Sequence, residues 1–124
     1  MEILILWGFH SLADYPLQGE FVAKYKAEDK LVLFCHCAIY ALVCMMGFMF
    51  LHHFFSYEYK NSIESIFFVL IISHFVIDYA KCRYREFLEK YEDISSKEGH
   101  SYDVYGFYAD QFLHLVVLLC LLLG

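Results

Sequence analysis

Histidine and aspartate lie four positions apart at three places in the chain. The pairs are His10 with Asp14, His74 with Asp78, and Asp110 with His114. A spacing of four puts both side chains on one face of a helix, one turn apart. Imidazole and carboxylate groups bind ions such as Zn, Mn, Fe or Ni, and helix bundles build two-metal sites from such pairs. The three pairs therefore predict a site for one or two divalent metal ions.

The segments that must position these residues are too apolar for a soluble domain. Of 124 residues, 60% are hydrophobic and 19% are charged, whereas soluble domains have about 45–50% apolar and about 25% charged residues. This composition excludes an ordinary soluble enzyme and a disordered chain. The net charge of −6 argues against a nucleic-acid partner. We therefore expect a membrane protein whose main partner is the lipid bilayer.

Four apolar segments predict membrane spans within a single domain, residues 1–124. They cover about residues 3–15, 31–55, 63–85 and 105–124. The first is short compared with the roughly 20 residues that a span needs, and residues 19–30 predict a short interfacial helix. Since backbone groups in lipid must be paired within the segment, the spans are predicted to be helices. The expected fold is all-α, an integral-membrane antiparallel four-helix bundle with a loop at residues 91–104.

The basic residues indicate how such a bundle is oriented. We call side A the face that carries residues 16–30 and 82–104, and side B the face that carries residues 56–61 and both termini. Eight basic residues lie on or beside side A: Lys24, Lys26, Lys30, Lys81, Arg83, Arg85, Lys90 and Lys97. Only Lys60 lies on side B. By the positive-inside rule, side A is cytoplasmic and both termini lie outside the bacterial inner membrane.

The polar residues within the spans are predicted to meet at one depth, near side A. His10 and Asp14 lie at the side-A end of the first span, and His36 lies about one turn into the second. The order of the pair is reversed in the fourth span, which runs opposite to the third. Burying an ionised carboxylate in a bilayer costs at least ~2.5–3.5 kcal/mol, so three aspartates together require cations. We therefore expect seven metal ligands: His10, Asp14, His36, His74, Asp78, Asp110 and His114.

Such a site favours a hydrolase that acts at the cytoplasmic face. Two adjacent ions activate water and hold a phosphoryl or acyl oxygen, so the expected substrate is a phosphoester or acyl bond of a lipid or membrane-adjacent molecule. Asp78 or Asp110 is a candidate general base. Lys81 is a candidate group for holding an anionic lipid or phosphate. His100 and Asp103, in the predicted loop, are candidates for covering the site.

Other functions are compatible with the same residues. The cluster can belong to a metal-ion or proton transporter or channel subunit, although the side-B halves of the segments are nearly pure apolar. It can also be an interhelical hydrogen-bond network, or hold a structural metal in a non-catalytic, phage-related membrane factor. A haem held by two histidines is a further alternative that the three aspartates argue against. Because the first span is short, pairing with a second copy of the chain in a homo-oligomer is a further alternative.

Three sequence blocks and His36 carry a resemblance to a known family. The blocks are HSLADYPLQ at residues 10–18, HFVIDYAK at residues 74–81 and DQFLH at residues 110–114. They resemble a family of small bacterial and phage integral-membrane proteins, classified as domain of unknown function 3307. This resemblance covers nearly the whole chain and implies the fold and the position of the site. The paired motifs are also similar, more loosely, to those of predicted membrane-bound metal-dependent hydrolases.

Overall fold

The protein is all-helical in the part of the chain that the structure describes. The computed structural model describes residues 1–91 and 99–124, without the side chains of residues 23, 89, 91 and 99–104. The helices are α1 (Glu2–Asp14), α2 (Gly19–Tyr25), α3 (Lys30–Phe55), α4 (Ile63–Tyr91) and α5 (Gly99–Leu123). The prediction of an all-α fold is confirmed. The predicted loop at residues 91–104 is wrong for residues 99–104, which are helical, and residues 92–98, including Lys97, lie outside the description.

Three of the helices are long and apolar enough to cross a membrane. They are α3 over its full length, Ile63–Leu88 of α4 and Tyr105–Leu123 of α5. At 1.5 Å per residue, the 13 residues of α1 reach only about 20 Å, against a hydrocarbon core about 30 Å thick. The outer face of α4 exposes Phe68, Ile72 and Val76 at successive turns. Apolar outer faces of this kind fit a lipid environment.

Local sequence explains where the helices begin and end. The Asp29 side chain accepts a hydrogen bond of 2.8 Å from the backbone N–H of Leu31 and so caps α3. That helix ends at Ser56, whose φ of 54° is left-handed. The helix α1 ends two residues before Pro16, which has no backbone N–H to continue the helical hydrogen bonds. Gly19 has a φ of +69°, which lets the chain turn into α2.

Helices α1, α3, α4 and α5 surround a common interior. Helix α1 contacts α3 and α5, and α4 also contacts α3 and α5, while the short α2 packs on α3. At the side-B end, the Tyr57 hydroxyl donates to the Leu122 carbonyl at 2.9 Å and the Lys60 ammonium donates to the Leu123 carbonyl at 2.8 Å. The end of α5 therefore lies beside the α3–α4 connection. The interior at this end is apolar, with Phe48, Leu51, Ile66, Leu70 and Leu118 fully buried.

Candidate metal centre

The structure brings all seven predicted ligand residues into the interior of the helix ring. Each is at most 7% exposed. Among the described side chains, the buried polar or charged ones are these same seven: His10, Asp14, His36, His74, Asp78, Asp110 and His114. They come from α1, α3, α4 and α5, so all four helices that surround the interior contribute. That they bind metal stays a prediction, which their geometry allows us to examine.

Four of these side chains point at one another from three helices. The Nε2 atoms of His36 and His74 are 3.0 Å apart. Asp14 Oδ1 lies 3.3 Å from His36 Nε2 and 3.5 Å from His74 Nε2. Asp78 Oδ2 lies 3.6 Å and 3.7 Å from the same two nitrogens. We call these four side chains the first ligand group.

These separations are those of atoms that share one ion. Ligands bound at about 2.1 Å lie about 3.0 Å apart when they subtend 90° at the metal and about 3.4 Å apart when they subtend a tetrahedral angle. The five distances of the first ligand group, 3.0–3.7 Å, lie within or slightly above these two ligand separations. The two imidazole nitrogens are therefore close enough to each carboxylate oxygen for these side chains to be candidate ligands of one ion.

A second ligand group lies beside the first and shares Asp78 with it. His114 Nε2 lies 3.5 Å from Asp110 Oδ1 and 3.8 Å from Asp78 Oδ1. These three side chains have ligand atoms close enough to hold an ion together. Asp78 turns Oδ2 to the histidines of the first group and Oδ1 to His114, so its carboxylate is shared by both groups.

Several of these atoms are buried without a hydrogen-bond partner. Among the described side chains, they include Asp14 Oδ1, Asp110 Oδ1 and His114 Nε2. Buried polar atoms are normally paired, and an unpaired one calls for an explanation such as an ion. All three belong to the two ligand groups. The donor set, its spacing and its unpaired atoms therefore fit a divalent metal.

His10 is buried beside the two groups, with its ring nitrogens turned to other residues. Its Nδ1 lies 3.1 Å from the Tyr40 hydroxyl and its Nε2 lies 3.2 Å from Gln111 Oε1. The nearest candidate ligand atom is Asp14 Oδ2, at 3.9 Å from Nε2. His10 therefore lies next to Asp14 but stands outside both ligand groups. It is also absent from a third set of converging ligand atoms, which joins the two groups through Asp14, His74 and His114.

Two lysines compensate part of the negative charge of the cluster from its side-A end. Lys26 Nζ donates to Asp78 Oδ2 at 2.7 Å, and Lys81 Nζ donates to Asp110 Oδ2 at 2.8 Å. Gln111 Nε2 donates to the same Asp110 oxygen at 3.1 Å. With neutral histidines, three carboxylates face two ammonium groups, and one negative charge remains for a bound cation to balance. Lys81 was among the predicted site residues, whereas the direct contact of Lys26 was not predicted.

Sequence reasoning missed Tyr40, which lies at the centre of the cluster. Its ring stacks on that of His74 with centroids 3.7 Å apart, and its hydroxyl bonds His10. Tyr40 follows His36 by four positions, so the spacing rule that joins each histidine to its aspartate would also have identified it. The side chains of His100 and Asp103 lie outside the described part of the structure.

Comparisons with known proteins bear on the family alone. No curated protein and no solved structure matches the chain. The looser similarity to membrane-bound hydrolases receives no support from them. A family model described as "Protein of unknown function (DUF3307)" matches residues 3–124. This match covers almost the whole chain and confirms the resemblance carried by the three sequence blocks: the chain belongs to the DUF3307 family.

Proposed function

We propose that this protein is a membrane-embedded metal-dependent hydrolase. Its substrate is a phosphoester or acyl bond of a lipid or of a membrane-adjacent molecule. The observation that carries the proposal is the sharing of Asp78 between two groups of buried histidine and aspartate side chains with unpaired ligand atoms. An interior stabilised only by its own hydrogen bonds would leave few such atoms unpaired.

The residues have distinct roles in this proposal. Asp14, His36, His74 and Asp78 hold one ion, and Asp78, Asp110 and His114 hold a second, with His10 supporting Asp14. Two adjacent divalent ions, when bound, activate water at neutral pH and polarise a phosphoryl or acyl oxygen. An aspartate that is left free of the ions, such as Asp110 when only the first ion is bound, acts as the general base, and Lys81 holds the anionic group of the substrate.

The proposal also places the site in the membrane. The chain crosses the bilayer four times, with α1 as a short fourth span and α2 at the interface. The bacterial inner membrane is its location, with the lysine-rich side A in the cytoplasm and both termini outside. What supports this placement is the uneven distribution of lysine and arginine, together with the position of the cluster next to Lys26 and Lys81.

The apolar interior at side B argues against transport through the cluster. A path for ions or protons needs polar groups along its whole length. Between the cluster and the Tyr57 end, the described buried side chains are apolar, among them Phe48, Leu51 and Leu118. A cluster without a polar path to side B among the described side chains suits a hydrolase or a structural metal site better than a transporter.

Metal analysis of the detergent-purified protein tests the central proposal. We expect one or two transition-metal ions per wild-type chain after supplementation, and loss of most of this metal in Asp78→Ala, because both ligand groups use that carboxylate. His114→Ala should lose only the second ion. His53→Ala is the matched control, since His53 is exposed at the other end of the molecule. Wild-type protein without stoichiometric metal would show that the proposal is wrong.

A substrate panel separates an enzyme from a protein with a structural metal. We expect hydrolysis of a phospholipid, phosphodiester or ester substrate that a chelator abolishes and added metal restores. Asp110→Asn should lower this activity strongly, and His53→Ala should leave it unchanged. Stoichiometric metal without hydrolysis of any substrate would favour the structural role.

A further inference from the structure

A groove opens between α4 and α5 on the outer surface of the molecule, at the level of the cluster. It encloses about 350 Å³, near the lower end of the roughly 300–1,000 Å³ of small-molecule sites. Its walls include Ile77 and Ala80 from α4 and Ala109 and Leu113 from α5. Both helices are long and apolar enough to span a membrane, so such a groove faces lipid chains and not water.

The inner wall of the groove carries two charged residues. Lys81 and Asp110 line it together, joined by their 2.8 Å hydrogen bond. The Lys81 side chain is 36% exposed. An ammonium carries three donors, and one of them bonds Asp110, so donors remain for an anion in the groove. Apolar walls that end at an ammonium are complementary to an amphiphile with a negative head group.

Asp110 connects the groove to the candidate metal centre. While Oδ2 accepts from Lys81, Oδ1 faces His114 Nε2 at 3.5 Å. A phosphate held at Lys81 therefore lies one side chain away from the second ligand group.

We propose that this groove is the binding site for an anionic phospholipid, whose head group carries a net negative charge on its phosphate, and that this lipid enters sideways from the bilayer. One acyl chain lies between α4 and α5, and the phosphate is held by the Lys81 ammonium. The inference rests on the proposed function for its meaning as a substrate site, but the binding itself can be tested without activity. It commits to a lipid and not to free phosphate, because the apolar walls have no role in binding an inorganic ion.

A second groove between the same two helices provides an internal control. It encloses about 320 Å³ towards side B, and its lining includes Val69, Val116 and Cys120 but no charged residue. Non-specific lipid contact would fill both grooves alike. Specific binding of an anionic lipid requires the groove that contains Lys81.

Photo-crosslinking in nanodiscs tests the proposal. The probes are phosphatidylglycerol and phosphatidylcholine that carry the same photoactivatable acyl chain, and the crosslinked peptides are identified by mass spectrometry. We expect the phosphatidylglycerol probe to label residues 77–84 and 105–113 in preference to the phosphatidylcholine probe. Unlabelled phosphatidylglycerol should compete, and inorganic phosphate at the same concentration should not.

Two variants and one control locate the site. Lys81→Gln should lower labelling by phosphatidylglycerol about fivefold, which corresponds to the ~1 kcal/mol that one basic residue contributes near an anionic lipid. Gly106→Leu should also lower it by filling the groove. A Cβ at Gly106 would meet only a Tyr84 ring carbon at 4.0 Å, so the new side chain starts in open space beside the groove. Cys120→Leu fills the side-B groove and should leave the labelling unchanged.

The outcomes distinguish this inference from the proposed function. Equal labelling by both probes, unchanged in Gly106→Leu, would mean ordinary boundary lipid and would overturn the inference. Competition by inorganic phosphate as effective as that by lipid would overturn it too. Metal content is measured on the same samples. Specific lipid binding to a protein without metal would support the groove as a lipid site and reject the hydrolase. Metal-dependent esterase activity without specific labelling would support the hydrolase and reject the groove as a lipid site.

Discussion

Asp78 is the residue on which the whole cluster depends. One of its oxygens faces His36 and His74, and the other faces His114. Lys26 bonds the first of these oxygens at 2.7 Å. The lysine therefore compensates the carboxylate in metal-free protein, and a bound ion would take over part of this role. Lysine ammonium groups that balance the carboxylate charge explain how three aspartates remain buried between apolar helices before any metal binds.

Tyr40→Phe tests whether the tyrosine positions the cluster. The change keeps the ring that stacks on His74 and removes the hydroxyl that bonds His10. We expect a loss of about 1 kcal/mol in stability, as for a typical buried hydrogen bond. Metal affinity should fall by up to about tenfold, the lower limit for partners that orient metal ligands, because the hydroxyl acts on Asp14 only through His10. Thermal unfolding and titration against a competing chelator measure the two effects.

Tyr57→Phe is the matched control for this variant. It removes a hydroxyl that bonds the Leu122 carbonyl at the opposite end of the molecule. Its stability should fall by a similar amount while its metal affinity stays that of the wild type. Equal metal affinities in the two variants would contradict a positioning role for Tyr40.

At the scale of the elements, α1 is the helix whose position depends most on packing. It has 13 residues and carries both His10 and Asp14. It approaches α3 closely at Gly47, where an added Cβ would lie 2.9 Å from the Phe9 ring and 3.2 Å from Leu6. The absence of a side chain at Gly47 therefore lets α1 bring Asp14 to the first ligand group.

Gly47→Ala should consequently displace α1. We expect a loss of about 1–3 kcal/mol, the usual cost of overpacking an interior, together with less metal per chain. Gly8→Ala is the control on α1 itself, because an added Cβ there meets nothing within 4 Å. It should be neutral or stabilise the helix by up to about 1 kcal/mol. Circular dichroism during heating and metal analysis of both variants test this. Equal stability and equal metal content in the two variants would show that the α1–α3 contact does not position the site.

At the scale of the whole molecule, the interior of the protein is charged at one end and apolar at the other. Lys26 and Lys81 close the cluster at side A, whereas the interior at side B contains residues such as Phe48, Leu51 and Leu118. The lysines at side A agree with the orientation proposed from the positive-inside rule.

Fusions at the C-terminus test the orientation. Since side B is expected outside the cytoplasm, alkaline phosphatase fused after Gly124 should be active in a bacterial host, and green fluorescent protein fused at the same point should be dark. Comparable expression of both fusions on immunoblots is the control. A fluorescent fusion together with an inactive phosphatase would reverse the orientation and place the cluster near the outer face.

Much of the site was predictable because the rules that reveal it are local. The spacing of four between His74 and Asp78 puts both on one helix face in any fold, and polar residues in an apolar helix must face the interior. A bundle of four helices was expected, but which helices contact one another was not predictable, since it depends on contacts between segments far apart in sequence. The turning of His10 towards Tyr40 and Gln111, and the contact of Lys26 with Asp78, depend on such contacts too.

The start of α5 shows the limit of composition as a guide. Residues 99–104 have a polar sequence, which favoured a loop, but they extend the helix that begins at Gly99. Once the apolar part of a helix is fixed by packing, adding a residue at its end costs little, because each one gains a backbone hydrogen bond. Polar residues at a helix end therefore do not mark its boundary.

The apolar layer at side B also has an electrical consequence. Moving one charge across a membrane potential involves about 2.3 kcal/mol per 100 mV, and most of that potential falls across low-dielectric material. In the proposed orientation, an ion that enters from side A stops at the cluster, before the layer formed by Leu51, Leu70 and Leu118. It therefore crosses little of the field, and the occupancy of the cluster follows the metal supply of the cytoplasm and not the voltage across the membrane.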